Sequence, residues 1–194
     1  MKFSANYNPA ATAFVSMRKD DLKEFYEWFM LNLPYFVEEL MQLVRRTQGF
    51  ENWSPDCSPG SLESLGVWLA GKIEKRNLTA DEIVEIEGKL GKGVENLPWD
   101  LTDETRRLII YVGMYYGDVA LNNLPDVRWE QQLGSKRLAD YGQPTIVGEG
   151  VVPINPVRIV SSFAYGVASG EKSGGKLREM YDYWANLSVK KRGG

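Results

Sequence analysis

The chain of 194 residues contains no histidine and a single cysteine, Cys57. Without imidazole there is no Ser-His or Cys-His nucleophile pair and no histidine pH switch. One thiol builds no disulfide framework and, with no histidine to join it, no ordinary zinc site. An excess of one charge is lacking too. Lys and Arg number 23 against 26 Asp and Glu, a net charge of −3, which supplies little field for nucleic acid or an anionic membrane. Long hydrophobic runs are also missing. The longest mostly apolar stretch, 108–117, covers about half a membrane span. The opening MKFSANYNPAATAFVSM has no continuous apolar core of a secretory signal. These absences predict a cytoplasmic chain with no cofactor and no metal, engaging neither membrane nor nucleic acid.

What the chain does have is apolar and aromatic material. Hydrophobic residues make up 43%, charged residues 25% and aromatics 12%, the composition of a globular protein. A fold of this length buries roughly 70% of its unfolded surface. The expectation is a single domain over 1–194, with an irregular lead-in at 1–17 and a flexible tail at 189–194.

Periodicity predicts a predominantly α-helical α+β fold. Leu22, Phe25, Tyr26, Phe29 and Leu33 recur at helical spacing over 18–32. Pro34 reads as the first turn of a second helix carrying Phe36, Val37, Leu40, Met41 and Val44. GFENWSPDCSPG is a loop, and Ser61 the cap of a third helix reaching Lys75. Thr79 and Glu82 form a capping box for a fourth, with Ile83, Ile86 and Leu90 on its stripe. Thr102 caps the longest helix, 103–122, whose nearly all-round apolar surface from Leu108 to Leu121 marks it as central and buried. Within it Gly113 and Gly117 allow close approach of a neighbour. The pattern then alternates over 127–133, with Trp129 inward, and turns β-branched over 144–152, predicting a short β-hairpin. Asn155 and Pro156 open a helix that Gly170 ends. A last helix, 175–188, presents Leu177, Met180, Tyr181, Trp184 and Leu187 inward.

Several motifs fail on context. GEKSGGK, 170–176, satisfies half of a phosphate-binding loop, but a helix precedes it and Leu177 stands where Ser or Thr would hold magnesium. Ser-x-x-Lys occurs four times, a measure of its low specificity, without the companion elements of a serine acylase. Cys57 has no histidine to activate it.

One constellation stands out, at the helix-to-strand junction 111–133. Tyr115, Asp118 and Asn122 lie at i, i+3 and i+7, and Arg128 and Glu130 share one strand face. These five residues are the candidate ligand- or partner-binding set; no catalytic residue is assigned. Asp118 and Arg128 are expected to pair across the junction, and the structural role of that pair is preferred over a functional one.

Over 101–169 the chain resembles small bacterial domains of unknown function, some of them immunity-like. The matching residues are Tyr111, Tyr115, Gly117, Asp118, Trp129, Pro144 and Pro156. The resemblance implies a protein-binding role and no catalytic residues. The reading that follows is an interaction module, immunity- or inhibitor-like, whose partner is a protein, with a second copy of the chain among the candidates. The alternative is a metal-free hydrolase or lyase run by carboxylate and tyrosine, with Asp118 or Glu130 as base.

Overall fold

The computed structural model describes Phe3, Tyr7 and residues 14–90 and 97–192. Within them the fold is predominantly α-helical α+β. A 3₁₀ turn at Phe14–Ser16 leads into α1 (Lys19–Arg45), α2 (Ser61–Ala70), β1 (Lys75–Asn77), α3 (Ala80–Leu90), β2 (Trp99–Leu101) and α4 (Asp103–Asn123). Then come β3 (Val127–Gln131), β4 (Pro144–Gly148), α5 (Pro156–Ala168) and α6 (Lys176–Arg192). The strands form two separate antiparallel pairs, β1 with β2 and β3 with β4. Among the described residues, no helix is long and apolar enough to cross a membrane.

α4 is the axis of the molecule. Thr102 caps it through a bond from the Thr105 amide to the Thr102 hydroxyl, and every residue from Leu108 to Gly117 is buried. Its two glycines are where neighbours come closest. A Cβ on Gly113 would fall 2.8 Å from Val157 Cα, so α5 crosses α4 backbone to backbone there. At Gly117 the Trp129 ring takes the space, which seats the β3–β4 pair against α4. α5 opens as its sequence predicts: the Asn155 side chain accepts from the Arg158 amide and Pro156 occupies the first turn. Asn155 also donates to Gln143 at 2.9 Å, tying the cap to the loop before β4.

Pro34 does not start a second helix. α1 runs through it for 27 residues, although proline removes one intrahelical bond and crowds the carbonyl four residues back. Burial explains this. Leu22, Phe25, Phe29, Leu40 and Val44 are buried, with Leu33, Phe36 and Val37 packed on the core between them. One stripe continues in step past the proline, whose ring is exposed.

Further corrections concern boundaries. Ser61 is the first residue of α2 rather than its cap: Ser58 Oγ accepts from the Ser61 amide, and Ser61 Oγ donates back to the Ser58 carbonyl at 2.7 Å. α2 ends at Ala70, leaving Lys75–Asn77 free to pair with Trp99–Leu101, a ladder absent from the sequence reading. The strand expected over 127–133 stops at Gln131. The one expected over 144–152 stops at Gly148, where the chain turns, with Gly150 at φ 67°, and brings Ile154 back to bridge Ile146. α6 carries on to Arg192, past Ser188 where the tail was expected.

Candidate functional site

The sequence-predicted set divides between two places. On α4, Tyr115 points into the loop before α2. Its buried ring stands edge-on to Trp53 at 5.4 Å, and its hydroxyl lies 2.6 Å from Ser61 Oγ while accepting the Cys57 amide at 3.1 Å. Burial pushes that hydroxyl up to about 12, against the lowering effect of both bonds. Asn123 donates to the Cys57 carbonyl at 2.6 Å and to the Val119 carbonyl at 2.7 Å. Cys57 itself sits at φ 57°, a left-handed conformation that costs a non-glycine residue energy. The loop is therefore strapped to the end of α4 by its backbone.

Asp118 lies beside this strap, partly buried. Burial pushes its carboxyl up to about 6. The Cys57 thiol is raised in turn, first by burial and then by the Asp118 charge. A carboxyl in that range can give or take a proton near neutrality. Here, though, the adjacent hydroxyl is already engaged and the adjacent thiol is held protonated. Asn122 extends no side chain toward the cluster; it donates to the Asp118 backbone carbonyl at 2.8 Å.

The expected Asp118–Arg128 pair is not formed. Arg128 instead reaches Glu130, two residues along the same face of β3, at 2.5 Å, and both are exposed. The local partner wins because strand alternation already places the two side chains side by side. Glu130 is thus committed to Arg128, while Asp118 faces Cys57, so the two carboxylates have different neighbours.

A second site was not foreseen. α5 and α6 diverge from the turn 169–175 and leave between them a groove of about 400 Å³. Ile154 and Trp184 line its inner side, Ile159 comes from α5, and Met180, Tyr183 and Leu187 come from α6. Trp184 is fixed by donating its indole N–H to the Val152 carbonyl at 2.7 Å. Lys176 and Glu179, paired at 2.5 Å, stand at the beginning of the groove. Of the five α6 residues expected inward, Leu177, Tyr181 and Trp184 are buried, Met180 is half-buried, and Leu187 is 38% exposed. Tyr183 is 70% exposed. The detectable signal is the width of the stripe: Met180, Tyr183 and Leu187 add a second apolar row that one packed interface does not need.

GEKSGGK is an inter-helix turn. The Lys172 ammonium is held by the Ser162 carbonyl at 3.0 Å, and its stem packs on Gly166. Among the described residues no cluster of three His, Cys, Asp or Glu side chains could hold a metal ion. Comparison of the chain with protein-family models, with curated proteins and with solved structures gives no match.

Proposed function

We propose that this chain is a protein-binding module whose partner inserts an apolar helix into the α5–α6 groove. The observation that carries the reading is the apolar row of half-buried Met180 and exposed Tyr183 and Leu187, facing Ile159 across a groove that is open among the described residues. Apolar surface gathered in a concavity marks an interaction site more than scattered exposed residues do. Aromatic side chains that close over a partner make its strongest anchors, and helix-in-groove docking uses a rigid cleft of this kind. An immunity- or inhibitor-like role, implied by the resemblance over 101–169, is compatible with it, since such proteins act by occupying a partner's surface. The carboxylate hydrolase or lyase finds less support, because Asp118 and Glu130 do not share a pocket and the Tyr115 hydroxyl is spent on the loop strap.

The test is selection of displayed helical peptides on the wild-type protein, with counter-selection on a Tyr183→Glu/Leu187→Glu variant. Recovery of apolar helices that bind the wild type at least about tenfold more tightly, a difference of about 1.4 kcal/mol, supports the reading. Recovery of nothing, or of peptides that bind both equally, refutes it.

A further inference from the structure

We propose that the loop 54–58 is a proton-controlled latch, closed on α4 while Asp118 is protonated and released when Asp118 ionises. The latch is independent of the groove and stands on how the loop is tied. Both of its ends are anchored. At the near end Arg45 Nε donates to the Trp53 carbonyl at 2.8 Å, and the Trp53 indole donates to the Ser61 carbonyl at 3.2 Å. At the far end Ser58 and Ser61 exchange the bonds that start α2. The loop also carries bonds of its own. The Asp56 amide donates to the Ser54 carbonyl at 2.9 Å, the Ser58 amide to the Asp56 carboxylate at 2.8 Å, and the Cys57 thiol to the Pro55 carbonyl at 3.8 Å. These move with the loop. Among the described residues, two hydrogen bonds tie its middle to α4, and both are at Cys57. The Cys57 amide donates to the Tyr115 hydroxyl, and Asn123 donates to the Cys57 carbonyl. Closure holds Cys57 at φ 57°, a left-handed strain that release relieves. A segment held by so few bonds between fixed ends can open without unfolding the rest.

Asp118 stands where the latch closes, half-buried beside Cys57. The amide side chains near it are spent on carbonyls: Asn122 on that of Asp118 itself, Asn123 on those of Cys57 and Val119. Among the described residues no donor reaches its carboxylate. The titratable and charged groups around it offer no compensation. On α4 the Tyr115 hydroxyl is engaged with Ser61 and Cys57. On the loop the Cys57 thiol is raised by burial and then by the Asp118 and Asp56 charges. The Asp56 carboxyl is held below the usual range by the Ser58 amide, so it stays negative across the neutral range. On β3 Arg128, the cation expected to meet Asp118, is committed to Glu130. Burial is therefore what lifts the Asp118 carboxyl to about 6. Protonated, the group is tolerated under the loop. Ionised, it has neither water nor partner, and a second negative charge bears on Cys57. Lifting the loop hydrates it at the expense of two hydrogen bonds and leaves α4 intact. Since closure raises the carboxyl above its ordinary 3.8, the closed state is favoured at low pH and loses ground as pH rises through 6.

Hydrogen exchange of the Cys57 amide from about pH 5 to 7.5 reads the latch directly, expressed as a protection factor so that the intrinsic pH dependence of exchange is removed. In the wild type, protection at Cys57 should fall at least about tenfold across this range, with its midpoint near pH 6. The buried amides of α4 and α5 should keep theirs. Asp118→Asn cannot ionise and should hold Cys57 protected throughout. Asn123→Ala, at an exposed position, removes one of the two bonds. It should lower Cys57 protection at every pH and keep the step at the same midpoint. A wild type without the step, a step that survives in Asp118→Asn, or a step lost in Asn123→Ala would overturn the proposal. So would an equal fall at the α5 amides, which would mean that the whole fold loosens and not the loop.

Discussion

The Trp129 indole occupies the space where a side chain on Gly117 would begin: a Cβ there would fall 2.0 Å from Trp129 Cζ2 and 2.6 Å from Cη2. The close fit of the Trp129 ring on Gly117 therefore sets how near β3 lies to α4. Phe29 of α1 meets the same ring edge-on at 5.3 Å, so the buried indole is packed from α1 as well.

Gly117→Ala should accordingly destabilise by about 2–4 kcal/mol, the cost of overpacking a filled core. Chemical denaturation followed by tryptophan fluorescence checks it. A loss under about 0.5 kcal/mol, typical of a surface change, would contradict the packing described.

Tyr115→Phe keeps the ring and deletes the hydroxyl that accepts the Cys57 amide and meets Ser61. Leaving those groups without their partner should cost about 1–3 kcal/mol. Hydrogen exchange should show the added opening at the Cys57 amide and in the first turn of α2, with α5 and α6 unaffected.

Asp118→Asn should stabilise the protein at high pH. The folded carboxyl titrates near 6 against an ordinary value of 3.8, so the folded state holds the extra proton between those values. Its contribution to stability is present below about pH 4 and is lost as pH rises through 6. Allowing for partial exposure, the variant should gain about 1–2 kcal/mol over the wild type at pH 8 and much less at pH 4. Urea midpoints at the two pH values decide it; a gain independent of pH would refute the burial argument.

Pro34→Ala should raise stability by about 1–3 kcal/mol. Alanine restores an amide donor inside α1 and removes the crowding of the preceding turn. The residue is exposed, so no core contact is lost. A lower melting temperature in the variant would show that the proline fixes a bend the packing needs.

What could be read from the sequence was what depends on neighbours a few residues away. α4 is legible because its apolar surface wraps all round. The capping devices at Thr102, Asn155 and Thr79–Glu82 are legible because each is a local bond. Pro34 misleads because its local preference is outweighed by a stripe that stays in step across seven turns. β1 and β2 have three residues each and no alternation to detect; they exist through pairing with each other. Of the candidate set, Tyr115 was expected to act at the helix-to-strand junction, but its hydroxyl meets Cys57, 58 positions away in the loop before α2. Asp118 and Arg128 were joined across a nine-residue link, when Arg128 had Glu130 beside it. The groove was hidden because a row of apolar residues on a helix does not say which members a neighbour will cover.

The register of the small sheet sets a boundary condition on the chain it encloses. Asn77 and Trp99 are partners in the ladder, and the Leu78 amide continues it to the Pro98 carbonyl. The chain thus departs and returns through a doorway one strand spacing wide, about 5 Å. Whatever lies between can lengthen, shorten or be exchanged at a closure cost that grows only logarithmically. α3 is therefore a cassette. Replacing 78–98 with a two-residue Asn-Gly turn should close β1 and β2 into an ordinary hairpin and leave the α4 scaffold intact. The scaffold and its appendage are thereby free to diverge at different rates.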